Sequence, residues 1–106
     1  MSATVYNSPA MMDVFARIAQ ERHRQNTLFV EGHISFNCSS RVVDPHRKLR
    51  VLVEEVGEVA RELENLENNT GYATEKKIRQ CLVNELTQVA AVAVAWLEAL
   101  TDGGAK

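Results

Sequence analysis

Cysteine is nearly absent. Cys38 and Cys81 lie far apart and have no C-x-x-C spacing. That argues against a zinc site or a thioredoxin-type motif, and predicts a free loop thiol and a small buried hydrophobe in a reducing compartment. Proline is as scarce. Both prolines follow a residue able to cap a helix, Ser8 before Pro9 and Asp44 before Pro45. Neither sign of charge dominates, and the net value of −2 gives no electrostatic argument for nucleic acid or an anionic membrane surface. The longest unbroken apolar run, residues 89–97, is well short of the ~20 residues that cross a bilayer. The first dozen residues have neither the basic nor the apolar region of a signal peptide. A cytoplasmic protein is expected, with neither nucleic acid nor membrane among its partners. Strand-like alternation is missing outside residues 26–43, and repeats and low-complexity tracts are missing throughout. At 106 residues this predicts one all-α domain over residues 9–101, with short tails at 1–8 and 102–106.

What is present is helical periodicity. After Ser8 and Pro9, residues Met11, Met12, Phe15, Ile18 and Ala19 recur at helical spacing, which predicts a first helix over 9–25. The pattern lapses over 26–43, a connection long enough to be a functional loop or to hide a short helix. It resumes after Asp44-Pro45. Leu49, Leu52, Val53, Val56, Val59, Ala60, Leu63 and Leu66 form one stripe, ended by the turn-forming residues 68–74. A third helix is predicted over 75–100 with Thr74 as its cap. Its second half, "VAAVAVAWL", is apolar on every face, and three helices can hardly enclose it. The expected architecture is therefore a bundle of three main helices, at most a short fourth, completed by oligomerisation.

The second helix carries an unusual density of acid. Glu55, Glu58 and Glu62 fall along one flank of its apolar stripe, whereas Glu54 faces solvent. On the third helix Glu85 and Gln88 repeat the i, i+3 spacing beside Asn84, just before the all-apolar half. A Glu-Glu-x-x-Glu run alone also suits a solvated face. The second pair, at the edge of nine apolar residues, argues for partial burial. Neighbouring carboxylates without a cation would take up protons or weaken the fold. No lysine or arginine lies at the right place within these helical rows to pair with them, so a hard divalent ion held by oxygen, Mg²⁺ or Mn²⁺, is the natural counter-charge. Di-iron is disfavoured because Glu-x-x-His pairs are missing. Gly57, at a cost of ~1 kcal/mol in a helix interior, leaves room for a close approach.

These motifs resemble the MazG-like, all-α nucleoside triphosphate pyrophosphohydrolases. Their signature is EExxE, a gap of some two dozen residues, and ExxD. Here it reads Glu54-Glu55-Val56-Gly57-Glu58, then Glu85-Leu86-Thr87-Gln88. "KLRVLVEEVGEVARELEN", "LVNELTQVAAVAVAWLEAL" and the upstream "ERHRQ" look like a small single-domain branch found in bacteria and phages. The similarity spans about residues 16–100. It implies hydrolysis of a nucleoside or deoxynucleoside triphosphate to monophosphate and pyrophosphate, by a dimer or tetramer using Mg²⁺. Carried over, Glu55, Glu58 and Glu85 would be the catalytic metal ligands, and Gln88, in the place of the motif's aspartate, would be a fourth, uncharged metal ligand through its carbonyl. Glu54, Glu62 and Asn84 would support them from behind. Lys48, Lys77 and Arg79, near the helix N-termini, would hold phosphate, while Phe29 and His33 would meet the base. Because a glutamine amide brings no charge and cannot act as a base, the pattern also fits a silent relative that binds nucleotide or a protein partner.

Overall fold

The computed structural model describes residues 8–34, 37–68 and 72–101. They form three α-helices and no β-strand: α1 (Pro9–Val30), α2 (Pro45–Asn68) and α3 (Tyr72–Ala99). The all-α expectation holds, and no fourth helix occurs among the described residues. α3 is central. It packs on α2 along one side and on α1 along another, while α1 and α2 do not meet among the described residues.

Both caps read from the sequence form. The Ser8 hydroxyl accepts from the Met11 N–H at 3.1 Å, and Asp44 Oδ1 accepts from the His46 N–H at 2.8 Å. α1 runs five residues beyond the predicted end at 25. Its inner face continues through Ile18, Arg22, Gln25 and Phe29, so the helical period persists, but two inward positions are polar and hide it. The helix stops at Gly32, whose φ of 80° is the left-handed conformation open to glycine. The His33 N–H reaches back to the Leu28 carbonyl at 2.8 Å. α3 begins at Tyr72, so Thr74 lies inside its first turn instead of capping it. Residues 69–71, where the cap would fall, are outside the described residues.

The core is thin and, apart from the buried Ile78 of α3, made of small side chains. Ala91, Val92 and Ala95 of α3 are buried, and Cys38 folds in from the 31–44 connection to join Val92 and Ala95, with Val51 and Leu52 of α2 packed alongside. The expected loop thiol is thus part of the core, whereas Cys81 is only half-buried; both are free. Burial pushes the Cys38 thiol above its ordinary pKa.

A polar staple draws that connection inward. Arg22 of α1, 6% exposed, donates from Nε and Nη2 to both Glu98 carboxylate oxygens of α3 at 2.6 and 3.1 Å. It also donates to Gln25 at 2.7 Å and Asn26 at 3.0 Å. Asn37 donates to the same Asn26 oxygen at 2.6 Å and accepts from the Ser39 N–H at 3.1 Å.

Large apolar side chains remain in the open. The α2 stripe divides along its length: Leu52, Val59 and Leu66 are half-buried, whereas Leu49, Val53, Val56, Ala60 and Leu63 are exposed. The exposed set repeats at alternating steps of four and three, the spacing of a helix–helix seam. On α3, Leu86 and Leu97 are exposed and Trp96 is half-buried. By length and a mean hydropathy of 1.2 the stretch Thr74–Ala99 is also sufficient to cross a membrane, a test that buried helices of soluble bundles pass as well. Midway along it stand Asn84, Glu85 and Gln88.

Gly57 lies on the exposed side of α2, and a Cβ added there would meet no atom within 4 Å. Gly57→Ala should therefore stabilise the helix by ~1 kcal/mol, about 4–8 °C in melting temperature for a chain of this size. A fall on calorimetry would show that another chain or a ligand occupies that space.

Candidate metal centre

α2 and α3 bring three carboxylates together. Glu55 and Glu58, one turn apart on α2, meet Glu85 of α3 so that one oxygen from each lies within 4.8 Å of the others. All three side chains are half-buried. One oxygen of Glu55 and one of Glu85 are fully covered, and neither has a hydrogen-bond partner. Two full charges at this spacing repel by roughly 3 kcal/mol at an effective dielectric of ~20. Uptake of a proton or of a cation relieves that repulsion.

The protonation equilibrium reflects this. Desolvation, the hydrogen bond with Glu58 and the charges of Glu58, Glu55 and Glu62 push the Glu85 pKa up to about 7. Glu55 is raised as well, first by desolvation and then by Glu58, Glu21 and Glu54. Among the described residues no lysine or arginine forms an ion pair with the triad.

Comparison with protein-family models, with curated proteins and with solved structures returned no match.

The other residues singled out in the sequence are placed as follows. Glu54 is exposed, and Glu62 is half-buried and near enough to raise Glu85. Asn84 and Gln88 line a cleft of about 350 Å³ between α1 and α3. Lys48 is 3% exposed, near enough to Cys38 for its charge to act on the thiol. It lies on the Glu55 face two turns earlier, ~10 Å along the axis. Lys77 and Arg79 are exposed, and Arg79 pairs with Glu75 at 3.1 Å, so the structure does not bring these two to the triad. Phe29 is half-buried in the last turn of α1, and His33 is exposed with Glu31 at 3.8 Å. Neither lines the clefts beside the triad.

Four further side chains come from α1. Arg17, Gln20, Glu21 and Arg24 line the α1–α3 cleft opposite Asn84, Thr87 and Gln88. Their i, i+3, i+4, i+7 spacing is visible in the sequence, but it is equally the pattern of a solvated helix face. A second cleft of about 300 Å³ has Glu55, Gln25, Asn37, Cys38 and Val92 in its walls.

Proposed function

We propose that the chain is a metal-dependent nucleotide pyrophosphohydrolase, cleaving a nucleoside or deoxynucleoside triphosphate to monophosphate and pyrophosphate. The observation that carries this is the Glu55–Glu58–Glu85 triad with its two covered, unpartnered oxygens. An all-oxygen, all-carboxylate donor set suits Mg²⁺ or Mn²⁺, and a cation would replace the protons the cluster otherwise retains. The MazG-like signature on which the triad lies supplies the reaction type. When bound, the ion would supply Lewis-acid chemistry: charge neutralisation on phosphate oxygens and a water acidic enough to attack.

The protein's own part is to hold three ligand oxygens on two packed helices, rigid enough that little rearrangement is needed. Glu62 adds negative charge beside Glu85. Gln88 departs from the ExxD pattern. Its amide faces the α1–α3 cleft, so we assign it to substrate contact and leave ligation to the three carboxylates. Lys48 is the remaining basic candidate on the α2 face.

We further propose a cytoplasmic homo-dimer or tetramer. Val53 and Leu97, each 61% exposed, represent the apolar surface that a second copy would cover. Burying a side chain of that size contributes about 1.5–3 kcal/mol.

Pyrophosphate and monophosphate release should be followed over a panel of ribo- and deoxyribonucleoside triphosphates with Mg²⁺ or Mn²⁺. Turnover of at least one substrate is expected, and Glu55→Gln should reduce it to background. Metal binding without turnover of any substrate would leave a nucleotide-binding relative. No metal binding at all would remove the centre.

A further inference from the structure

We propose that the cleft between α1 and α3 clamps the polyphosphate of an anionic substrate, with Arg17 and Arg24 as the clamping residues. This rests on the metal-centre reading above and adds to it the site where the substrate's charge is held.

The cleft opens beside the triad. Asn84 and Gln88, in its α3 wall, are the immediate and the one-turn neighbours of Glu85, and Glu21, in its α1 wall, is close enough for its charge to reach Glu55. About 350 Å³ is the size of a small-ligand pocket. Every lining residue is polar or charged: two guanidinium groups, one carboxylate, three side-chain amides and a hydroxyl. No aromatic side chain lines it, so it offers no surface on which a base could stack.

The two arginines are held differently. Glu21 grips Arg24 in a fork, accepting from Nε at 2.8 Å and from Nη2 at 2.6 Å. The grip fixes the plane of the guanidinium and leaves Nη1 uncommitted among the described residues. Gln25 donates to the same Glu21 oxygen at 3.2 Å, so that carboxylate is occupied by its neighbours and its repulsion of an incoming phosphate is reduced. Arg17 has no hydrogen bond or ion pair among the described residues. Two cations and one paired anion leave the cleft net positive next to a cluster of acids. A polyphosphate spanning both would have one end at the triad's cation and its next phosphate at Arg17 and Arg24, while the amides of Gln20, Asn84 and Gln88 donate to its remaining oxygens.

The test is calorimetric titration of the Mn²⁺-loaded protein with inorganic tripolyphosphate, which has the charge of the substrate and no base. Arg17→Ala should weaken binding by roughly 10-fold or more, since a charge-assisted contact is lost, and Arg17→Lys should recover part of it. Arg61→Ala, which removes an equal charge from the exposed side of α2, should leave it unchanged. Equal weakening by Arg17→Ala and Arg61→Ala would overturn the clamp, as would tripolyphosphate binding that Arg17→Ala leaves intact. Weakening confined to nucleoside triphosphates would overturn it too, by showing that the cleft holds the nucleoside. Titrating Mn²⁺ alone separates the two readings: binding with an inert Arg17 defeats only the clamp, and no binding defeats the metal centre on which it rests.

Discussion

Glu85→Gln should raise the melting temperature of the metal-free protein and erase its response to Mn²⁺. The first half follows from the crowding of Glu55, Glu58 and Glu85 within 4.8 Å. An amide of the same shape removes one charge from a cluster that has no counter-charge, and relieves the desolvation that pushes Glu85 up to about 7. Because the side chain is half-buried, solvent screens much of this. The gain is on the order of 1 kcal/mol, about 4–8 °C by calorimetry. The second half follows from the donor set, since two carboxylates do not offer what three do. In the natural chain, Mn²⁺ at a hundred times its dissociation constant should add ~2.7 kcal/mol of stability.

The pH dependence has a fixed sign. A carboxyl whose pKa is higher folded than unfolded binds more protons in the native state between those two values. The folded state is therefore favoured below about 4.5 and loses that advantage as pH rises through about 7. Metal-free protein should melt at progressively lower temperature from pH 5 to pH 7.5. Saturating Mn²⁺ should show the opposite trend, its stabilising increment growing over the same range as protons leave the ligands. Glu85→Gln should flatten both curves. A natural chain with no slope and no metal response would mean that the triad is a solvated acidic face.

The sequence made the number of helices, their caps at Ser8 and Asp44, and the triad legible, because each is a local pattern. A cap needs one side chain and a nearby N–H. The triad needs only i, i+3 spacing on α2 and a glutamate where α3 turns apolar. Three features were not legible, each set by a neighbour distant in the chain. The extension of α1 to Val30 was hidden because Arg22 and Gln25 occupy inward positions, and only Glu98, far along the sequence, makes an inward arginine tolerable. Cys38 looked like a loop thiol because nothing local shows that Asn37 is tied to Asn26. The α2 stripe is continuous in the sequence, yet α3 covers only part of it and leaves Val53 and Val56 outside. The cleft wall on α1 was hidden for a related reason. Arg17 and Arg24 look like solvated residues until α3 stands opposite them.

The largest loss of stability should come from Arg22→Ala. The guanidinium joins three segments at once: its own helix through Gln25 and Asn26, α3 through both oxygens of Glu98, and the 31–44 connection through the Asn26 oxygen it shares with Asn37. Breaking a buried ion pair by deleting one partner costs about 3–5 kcal/mol. The Glu98 side chain is 37% exposed and can regain water, which places this case near the lower end. Asn37 cannot rehydrate so easily, since it is 5% exposed and sits beside the buried Cys38. A loss of ~3 kcal/mol would lower the melting temperature by about 12 °C or more. Arg22→Lys should recover little, because one ammonium cannot reach acceptors on both sides of a planar fork. The decisive readout is local. Cys38 is shielded by this connection, so Arg22→Ala should speed its reaction with a thiol reagent under native conditions, while Cys81 on α3 keeps its natural rate. Acceleration of both thiols together would instead mean that the whole bundle opens, and that the staple does not act on the connection alone.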